Sequence, residues 1–359
     1  MSGLFEPYDF CGITLKNRFV RSATMENMTT REKSPSQSLC ILYEELARSG
    51  VGLIISSSVR ADRLWDPSHT SRNMCIDHDD VIPAFTELTR RIHAFESKVA
   101  IQLGSFYRYD GDLVAPSPVP YLDSPESCPR ALRSDEIQKI VEKYGEAADR
   151  ARRAGFDAVQ INVAHGFPLC RFLSPHFNRR VDEYGGSAKN RSRIVIEITH
   201  EIQKRTGNDF PVFVKMNVAD FCKGGMIVDE AIEMARILTE HGVFAIETSG
   251  GGSGHDVTWL GPADPDQWFE GYFAKYAAAF KAELAVPVIL VGGLRDVISM
   301  EDYVSRNLTD LVAMSRPFIK EPQIVRRWMD GDIRPAECVS CNGCLDVVKK
   351  GESVHCITE

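Results

Sequence analysis

Two groups of residues have types and spacings that could do chemistry. Near the C-terminus the chain reads Cys338-Val339-Ser340-Cys341-Asn342-Gly343-Cys344, and a fourth thiol follows at Cys356. Three thiolates at intervals of three, plus a distant fourth, match the way short loops ligate a [4Fe-4S] cube. Zinc more often takes two separated pairs. An iron-sulfur cluster, structural zinc and free thiols are the three readings of this tail. The second group is Gly292-Gly293 and Ser315-Arg316, each at the end of an apolar run. Glycines let backbone N–H groups approach phosphate oxygens, and the Arg brings a forked, permanent positive charge. The pair points to a phosphorylated cofactor or substrate; a tight turn and a surface ion pair are the plain alternative.

These residues need a scaffold. The chain has 359 residues, with 42 Lys and Arg against 50 Asp and Glu, a formal net charge of −8. Its 43% hydrophobic and 26% charged content is that of a globular protein, not of a disordered or coiled-coil chain. The acidic balance lacks the footprint that nucleic-acid backbones require. The longest apolar stretch, around Val51 to Ile55, is far short of the ~20 residues that span a bilayer, and the N-terminus has no basic-then-apolar leader pattern. These features predict a cytoplasmic chain with no membrane and no nucleic-acid partner. Thiols in that setting stay reduced, so Cys11, Cys40, Cys75, Cys128, Cys170 and Cys222 read as ordinary thiols, Cys170 as buried packing.

Eight short runs are nearly continuous in apolar character: Phe19 to Thr24, Val51 to Val59, Val99 to Gly104, Asp157 to Asn162, Val212 to Asn217, Phe244 to Gly250, Val286 to Gly293 and Leu311 to Arg316. Parallel strands covered on both faces have this character. Between them lie helical patterns, among them Ser134 to Arg153, where Ser134 and Ile137 make half of a capping box, and Val228 to His241, with Gly242 as C-cap. Eight strand-helix units predict an α/β chain built as a (β/α)8 TIM barrel, with a doubly wound open sheet as the runner-up. The first 18 residues, with Gly12 between apolar runs, predict a hairpin, and Pro322 to Met329 a last helix. The expected organisation is a barrel over residues 1–330 and a short Cys-rich metal-binding extension over 331–359. Barrel enzymes carry their active sites at the C-terminal ends of the strands.

Phe172-Leu173-Ser174-Pro175, then Asn178-Arg179-Arg180, Asp182-Glu183-Tyr184-Gly185-Gly186-Ser187 and Asn190-Arg191 form a long, specific string that resembles a signature of the Old Yellow Enzyme family. Leu15-Lys16-Asn17-Arg18, Ile101-Gln102-Leu103, Asp220 with Gly224-Gly225, Gly292-Gly293 and Ser315-Arg316-Pro317 fit the same pattern. The resemblance covers residues 1–330. It implies an FMN-binding barrel that takes hydride from NAD(P)H and passes it to a small-molecule substrate, in a homo-oligomer. FMN then accounts for the phosphate loops at Gly292, Gly293, Ser315 and Arg316. The resemblance places Ala23, Thr24 and Met25 along the flavin, Ser58 at the end of strand two, and Gln102 at the pyrimidine edge. The matching position on strand five is usually Arg and here is Lys215, which keeps the charge and loses the fork. Pairing of Lys215 with a carboxylate is its plain alternative.

In the family, strand four ends with a His, then an Asn or His, then a Tyr that protonates the carbon opposite the hydride. Here the segment reads Asn162-Val163-Ala164-His165-Gly166-Phe167. Asn162 and His165 can both donate to a substrate oxygen, as an oxyanion hole does, so they are the catalytic candidates; a structural histidine is the plain reading of His165. Phe167 has no exchangeable proton, which leaves it a substrate-contact position. Tyr107 and Tyr109 are the nearest phenols by topology, with Tyr107 in the candidate substrate pocket. Their loop reads Gly104-Ser105-Phe106-Tyr107-Arg108, where a His and Gly-Arg are common. The Cys-x-x-Cys-Asn-x-Cys tail resembles the iron-sulfur segment of the branch with trimethylamine dehydrogenase and 2,4-dienoyl-CoA reductase. Three residues follow Cys356, so no second flavin domain is expected, and a cluster implies an external electron partner or a structural relic. The leading expectation is a ping-pong FMN-dependent reductase of activated C=C bonds. The alternatives are a flavin dehydrogenase of amines draining electrons through the cluster, and a non-catalytic flavin- or metal-binding protein.

Overall fold

The computed structural model describes residues 3–63, 73–104, 107–122, 125–252, 255–258, 261–262 and 269–358. Each of the eight apolar runs overlaps a strand: β1 (Phe19–Arg21), β2 (Leu53–Arg60), β3 (Lys98–Leu103), β4 (Ala158–Val163), β5 (Val212–Asn217), β6 (Ile246–Ser249), β7 (Val288–Val291) and β8 (Leu311–Met314). Neighbours pair in parallel around the ring, and β8 returns to β1 at Val312↔Phe19, so the sheet is a closed barrel. Closure excludes the open doubly wound sheet. Helices cross between the strands and bury apolar stripes against them. The helix Ser134–Arg153 turns Ile137, Ile140, Tyr144, Ala148 and Ala151 inward at a spacing of three and four.

The barrel interior is graded. Strand side chains alternate, so one set points inward on every strand. At the bottom these are Val20, Leu53, Ile55, Ala100, Ala158, Phe213, Ala245, Ile289, Leu311 and Ala313, all buried in one apolar cluster. The N-terminal hairpin, Tyr8–Phe10 paired with Ile13–Leu15, contributes Phe10 and Leu15 to the same cluster. Phe10 meets the Phe213 ring edge-on at 5.5 Å. The alanines leave the room that these two large side chains take, so the hairpin plugs the lower end.

Three details differ from expectation. Arg133, not Ser134, occupies the N-cap of the third long helix, because Glu136 is then the N3 residue and its carboxylate accepts from the Arg133 N–H at 2.9 Å. Arg130 also pairs with Glu136, at 2.8 Å. The last barrel helix begins at Ile324 rather than Pro322, since the Ile324 N–H closes a turn onto the Glu321 carbonyl. The helix Val228–Glu240 has His241 as its C-cap, so Gly242, at φ of 91°, takes the left-handed position one residue beyond the cap rather than the cap itself. No helix among the described residues is long and apolar enough to cross a membrane.

β2 and β3 approach closely at their upper ends, where the β2 ladder is irregular between Ile55 and Ser58. A Cβ on Gly104 would collide with the Ser58 hydroxyl. Gly104→Ala is therefore expected to lower stability by about 1–3 kcal/mol in chemical denaturation. Ser58→Ala in the same chain should recover most of the loss; no recovery would locate the clash elsewhere.

Candidate active site

Above the apolar plug the inward-pointing residues become polar, and the register aligns them. Gln160 is level with Gln102, and Asn162 is level with Lys215, which is level with Glu247. Glu247, at zero exposure, anchors the layer. Lys215 Nζ stands 3.0 Å from Glu247 Oε1 and donates to Ser22 Oγ at 2.8 Å, while Ser22 donates to Glu247 at 2.6 Å. Gln160 donates to the other Glu247 oxygen at 2.6 Å and accepts from Gln102 at 2.7 Å. Asn162 Nδ2 reaches Gln102 Oε1 at 3.4 Å. Lys215 thus takes the carboxylate partner of its plain reading and still borders the cavity above.

That cavity has a volume of about 520 Å³, within the ~300–1,000 Å³ range of cofactor and ligand clefts. It gathers Ala23, Thr24 and Met25 after β1, Ser58 on β2, Gln102 on β3, Asn162, His165 and Phe167 at the end of β4, Lys215 on β5, Gly292 and Gly293 after β7, and Ser315 and Arg316 after β8. Tyr107, beyond β3, also lines it, whereas Tyr109 does not. Met25 is 51% exposed and stands at the rim. Ser105 and Phe106 lie outside the described residues.

The phosphate-type end is built by backbone. Gly292 and Gly293 have φ of 122° and 71°, and a Cβ at either would meet the Tyr272 ring at 2.7–2.8 Å. Only glycine provides both the conformation and the approach. Thr24 Oγ1 and Ser315 Oγ lie 2.6 Å apart and join the ends of β1 and β8. A cleft of this volume, with a glycine cradle and Arg316 at one side and Gln102 and Lys215 on its floor, suits a phosphorylated planar cofactor such as FMN.

The opposite side is built by a strained turn. His165 has φ of 66° and Gly166 of 73°. His165 N donates to Asn217 Oδ1 at 2.9 Å, which holds the turn. His165 Nε2 lies 2.6 Å from Ser249 Oγ. Burial, and secondarily the Lys215 charge, hold the His165 pKa well below its ordinary value, so the ring is neutral near pH 7. The Ser249 hydroxyl can donate to or accept from Nε2, so it serves either neutral tautomer of the ring.

Sequence reasoning missed Ser22, Gln160, Glu247, Ser249, Tyr272 and Glu26. Gln160 and Glu247 did carry a signal: each is an isolated polar residue at an inward position of an apolar strand. Tyr272 carried none, because its place depends on how a long loop folds back. Burial raises its phenol pKa, against the opposing effect of Arg316.

The tail closes one side of the cavity with Ser340, Cys344, Leu345, Val348 and Val354. Asn27 Nδ2 donates to the Val348 carbonyl at 2.7 Å, and Val354 N donates to the Glu26 carbonyl at 2.9 Å. Arg316 Nη1 donates to Asn342 Oδ1 at 2.6 Å, between Cys341 and Cys344. Cys338, Cys341, Cys344 and Cys356 border one small cleft of about 20 Å³ and form no disulfide. Among the described residues, no three His, Cys, Asp or Glu side chains converge closely enough for one metal ion. Burial raises the Cys344 thiol. At Cys356 burial is outweighed by hydrogen bonds around Thr358 and by Lys320, which lower it.

A cofactor-sized cavity with a polar floor at the upper end of a closed (β/α)8 barrel, edged by a glycine cradle and carrying Lys215 on its floor, suits a flavin-dependent oxidoreductase barrel. The chain belongs to the NADH:flavin oxidoreductase / NADH oxidase family, whose pattern matches residues 3–332. It is 34% identical to an NADPH dehydrogenase of Halalkalibacterium halodurans, over 89% of this chain and 91% of that one. It is 31% identical to cinnamate reductase of Clostridium sporogenes, over 98% of this chain and 57% of the relative. The structure of a 2-naphthoyl-CoA reductase complex superposes with a TM-score of 0.89 at 23% identity, over 99% of this chain and 57% of that one, a likeness of fold. The chain spans about half the length of several curated relatives it matches, 53% to 57%.

Beneath the loop after β1, Glu26 is buried with Arg21 at 3.2 Å and accepts from Tyr43 at 3.2 Å. Burial pushes the Glu26 carboxyl up to about 7, against the pull of Arg21. Between about 4.5 and about 7 the folded chain holds a proton that the unfolded chain has lost. Stability therefore falls as pH rises through that window, by at most about 1.4 kcal/mol per unit. Urea denaturation across the window should show this decline and a flatter profile for Glu26→Gln. Superimposable profiles would remove Glu26 as the source.

Proposed function

We propose that the chain binds FMN in this cavity, takes reducing equivalents from NADH or NADPH, and reduces a C=C bond conjugated to a carbonyl or similar acceptor. The observation that carries this reading is the convergence of Asn162 and His165 on one side of a cavity whose floor holds Gln102 and Lys215. Two relatives, a dehydrogenase of NADPH and a reductase of cinnamate, support the direction of electron flow and the substrate class.

The roles follow from the residues. Bound FMN supplies hydride. Gly292, Gly293, Ser315 and Arg316 hold the phosphate, Ala23, Thr24, Met25 and Ser58 border the ring, and Gln102 bonds its pyrimidine edge. Lys215, fixed by Glu247 and Ser22, keeps a positive charge where negative charge accumulates on reduction. Neutral His165 and Asn162 donate to the substrate oxygen; Phe167 and Tyr107 pack around the substrate. A neutral imidazole donates without becoming a competing acid at the wrong atom. The tail, residues 331–359, is proposed as a metal-binding appendage on the barrel of residues 1–330.

The expected outcome of anaerobic mixing is bleaching of bound FMN by NADH or NADPH and its return on adding an enone. Asn162→Ala and His165→Ala should each slow the return by about 10²- to 10³-fold. Flavin that stays oxidised with both nicotinamides would overturn the reading.

A second reading is favoured by one observation: Cys344, Ser340 and Arg316 border both the large cavity and the thiol cleft. A centre in the cleft would abut the flavin, as a dehydrogenase that exports single electrons to a partner protein requires. Three thiols at intervals of three with a distant fourth favour a four-iron cube over zinc, which more often takes two separated pairs. Protein purified without oxygen should contain about four irons and four acid-labile sulfides per chain, lost in Cys341→Ala. Stoichiometric zinc or no metal would overturn the cluster.

A further inference from the structure

Reducing a C=C bond requires a proton as well as a hydride, and the inference here rests on the reading just proposed. Several side chains that border the cavity carry a proton: Lys215 is held by Glu247 and Ser22, and Cys344 belongs to the tail. Tyr272 lies against Gly292 and Gly293 after β7, at the phosphate side. Thr24 is tied to Ser315, and Ser249 to His165. Glu26 is engaged by Arg21 and Tyr43 beneath the loop after β1. His165 is already assigned to the substrate oxygen. The phenol on the Asn162 and His165 side of the cavity is Tyr107, which follows β3, the neighbour of β4.

Its surroundings differ from those of an incidental rim residue. The Tyr107 ring stands edge-on to Phe167 at 6.0 Å, and Phe167 in turn meets His165 at 6.1 Å. On its other side Tyr107 meets Tyr121 at 6.2 Å. Behind Tyr121 lies Arg171, fully buried, its guanidinium 3.9 Å from the Tyr121 ring centre and 4.5 Å from that of Phe177. Arg171 also donates to the Val119 carbonyl and, at 3.2 Å, to that of Pro120, so the cation is held in place. A buried cation behind two phenols lowers the energy of the phenolate left when one of them gives up its proton.

We propose that Tyr107 is the catalytic acid of the reduction and that Tyr121, backed by Arg171, is its positioning residue. The β-carbon gains a hydride, two electrons and one proton, with reduced flavin as donor. The electron pair of the broken π bond, held at the α-carbon and its conjugated oxygen by Asn162 and His165, takes the Tyr107 phenolic proton. The Tyr107 O–H bond breaks as the α-carbon C–H bond forms, and the phenolate recovers a proton from water at the cavity mouth. Phe167, which cannot donate, then serves as an apolar wall that steers the Tyr107 ring.

The test uses the FMN-loaded full chain with 2-cyclohexenone as oxidant. Flavin reduction by NAD(P)H on the same sample normalises for FMN content. Tyr107→Phe should slow reoxidation by about 10²- to 10⁴-fold and abolish its solvent deuterium isotope effect. Tyr121→Phe should give a smaller loss with a shifted pH profile. Adding Phe167→Tyr to Tyr107→Phe should restore rate and isotope effect, which a folding defect would not allow. A readout independent of turnover is ¹³C-tyrosine NMR of the oxidised protein with inert cyclohexanone. The resonance missing in Tyr107→Phe should shift on binding. If the parent reduces cyclohexenone and Tyr107→Phe keeps both rate and isotope effect, Tyr107 is not the acid. A parent that reduces no enone overturns the substrate reading and this inference with it.

Discussion

The site depends on one constraint: charged and amide groups can be buried in the barrel only if they satisfy one another. Lys215 and Glu247 are both buried, and removing two charges from water is costly unless geometry and hydrogen bonds return the loss. Here Ser22 and Gln160 complete the carboxylate's partners, and Gln102 continues the chain toward Asn162. Parallel register makes this possible, because Asn162, Lys215 and Glu247 lie at one level on three successive strands. A slip of one residue on any of them would turn its polar side chain outward into the apolar layer beneath the helices.

The graded interior follows. Below the polar level, the hairpin's Phe10 and Leu15 fill the space left by Ala100, Ala158, Ala245 and Ala313. The polar floor lies between this buried apolar layer and the cavity above. There Lys215 lies buried beside Glu247 in a low-dielectric setting, where hydrogen bonds and ion pairs are stronger than in water. Lys in place of the more common Arg loses bidentate geometry, and the Glu247 and Ser22 contacts supply the orientation that a guanidinium fork would have brought.

The tail is part of this cavity. Asn27 and Glu26 tie it to the loop after β1, and Arg316 ties it to the end of β8. Arg316 therefore faces both a phosphate-type site and the cysteine loop. Whatever occupies the thiol cleft shares a wall with whatever occupies the cavity, through Cys344, Ser340 and Arg316.

The amino-acid pattern by itself determined the eight strands, the barrel and the N-terminal hairpin, and with the family resemblance it named many, though not all, of the residues lining the cavity. It could do so because parallel strands buried on both faces leave continuous apolar runs, and loops at their upper ends carry the chemistry. It could not assign partners. That Glu247 holds Lys215, that Ser249 holds His165, and that Tyr107 rather than Tyr109 faces the cavity depend on register and loop path, which no local spacing encodes. The same holds for Tyr272 and for Arg171 behind Tyr121. These are contacts between segments tens to hundreds of residues apart, and only closure of the barrel brings them within bonding distance.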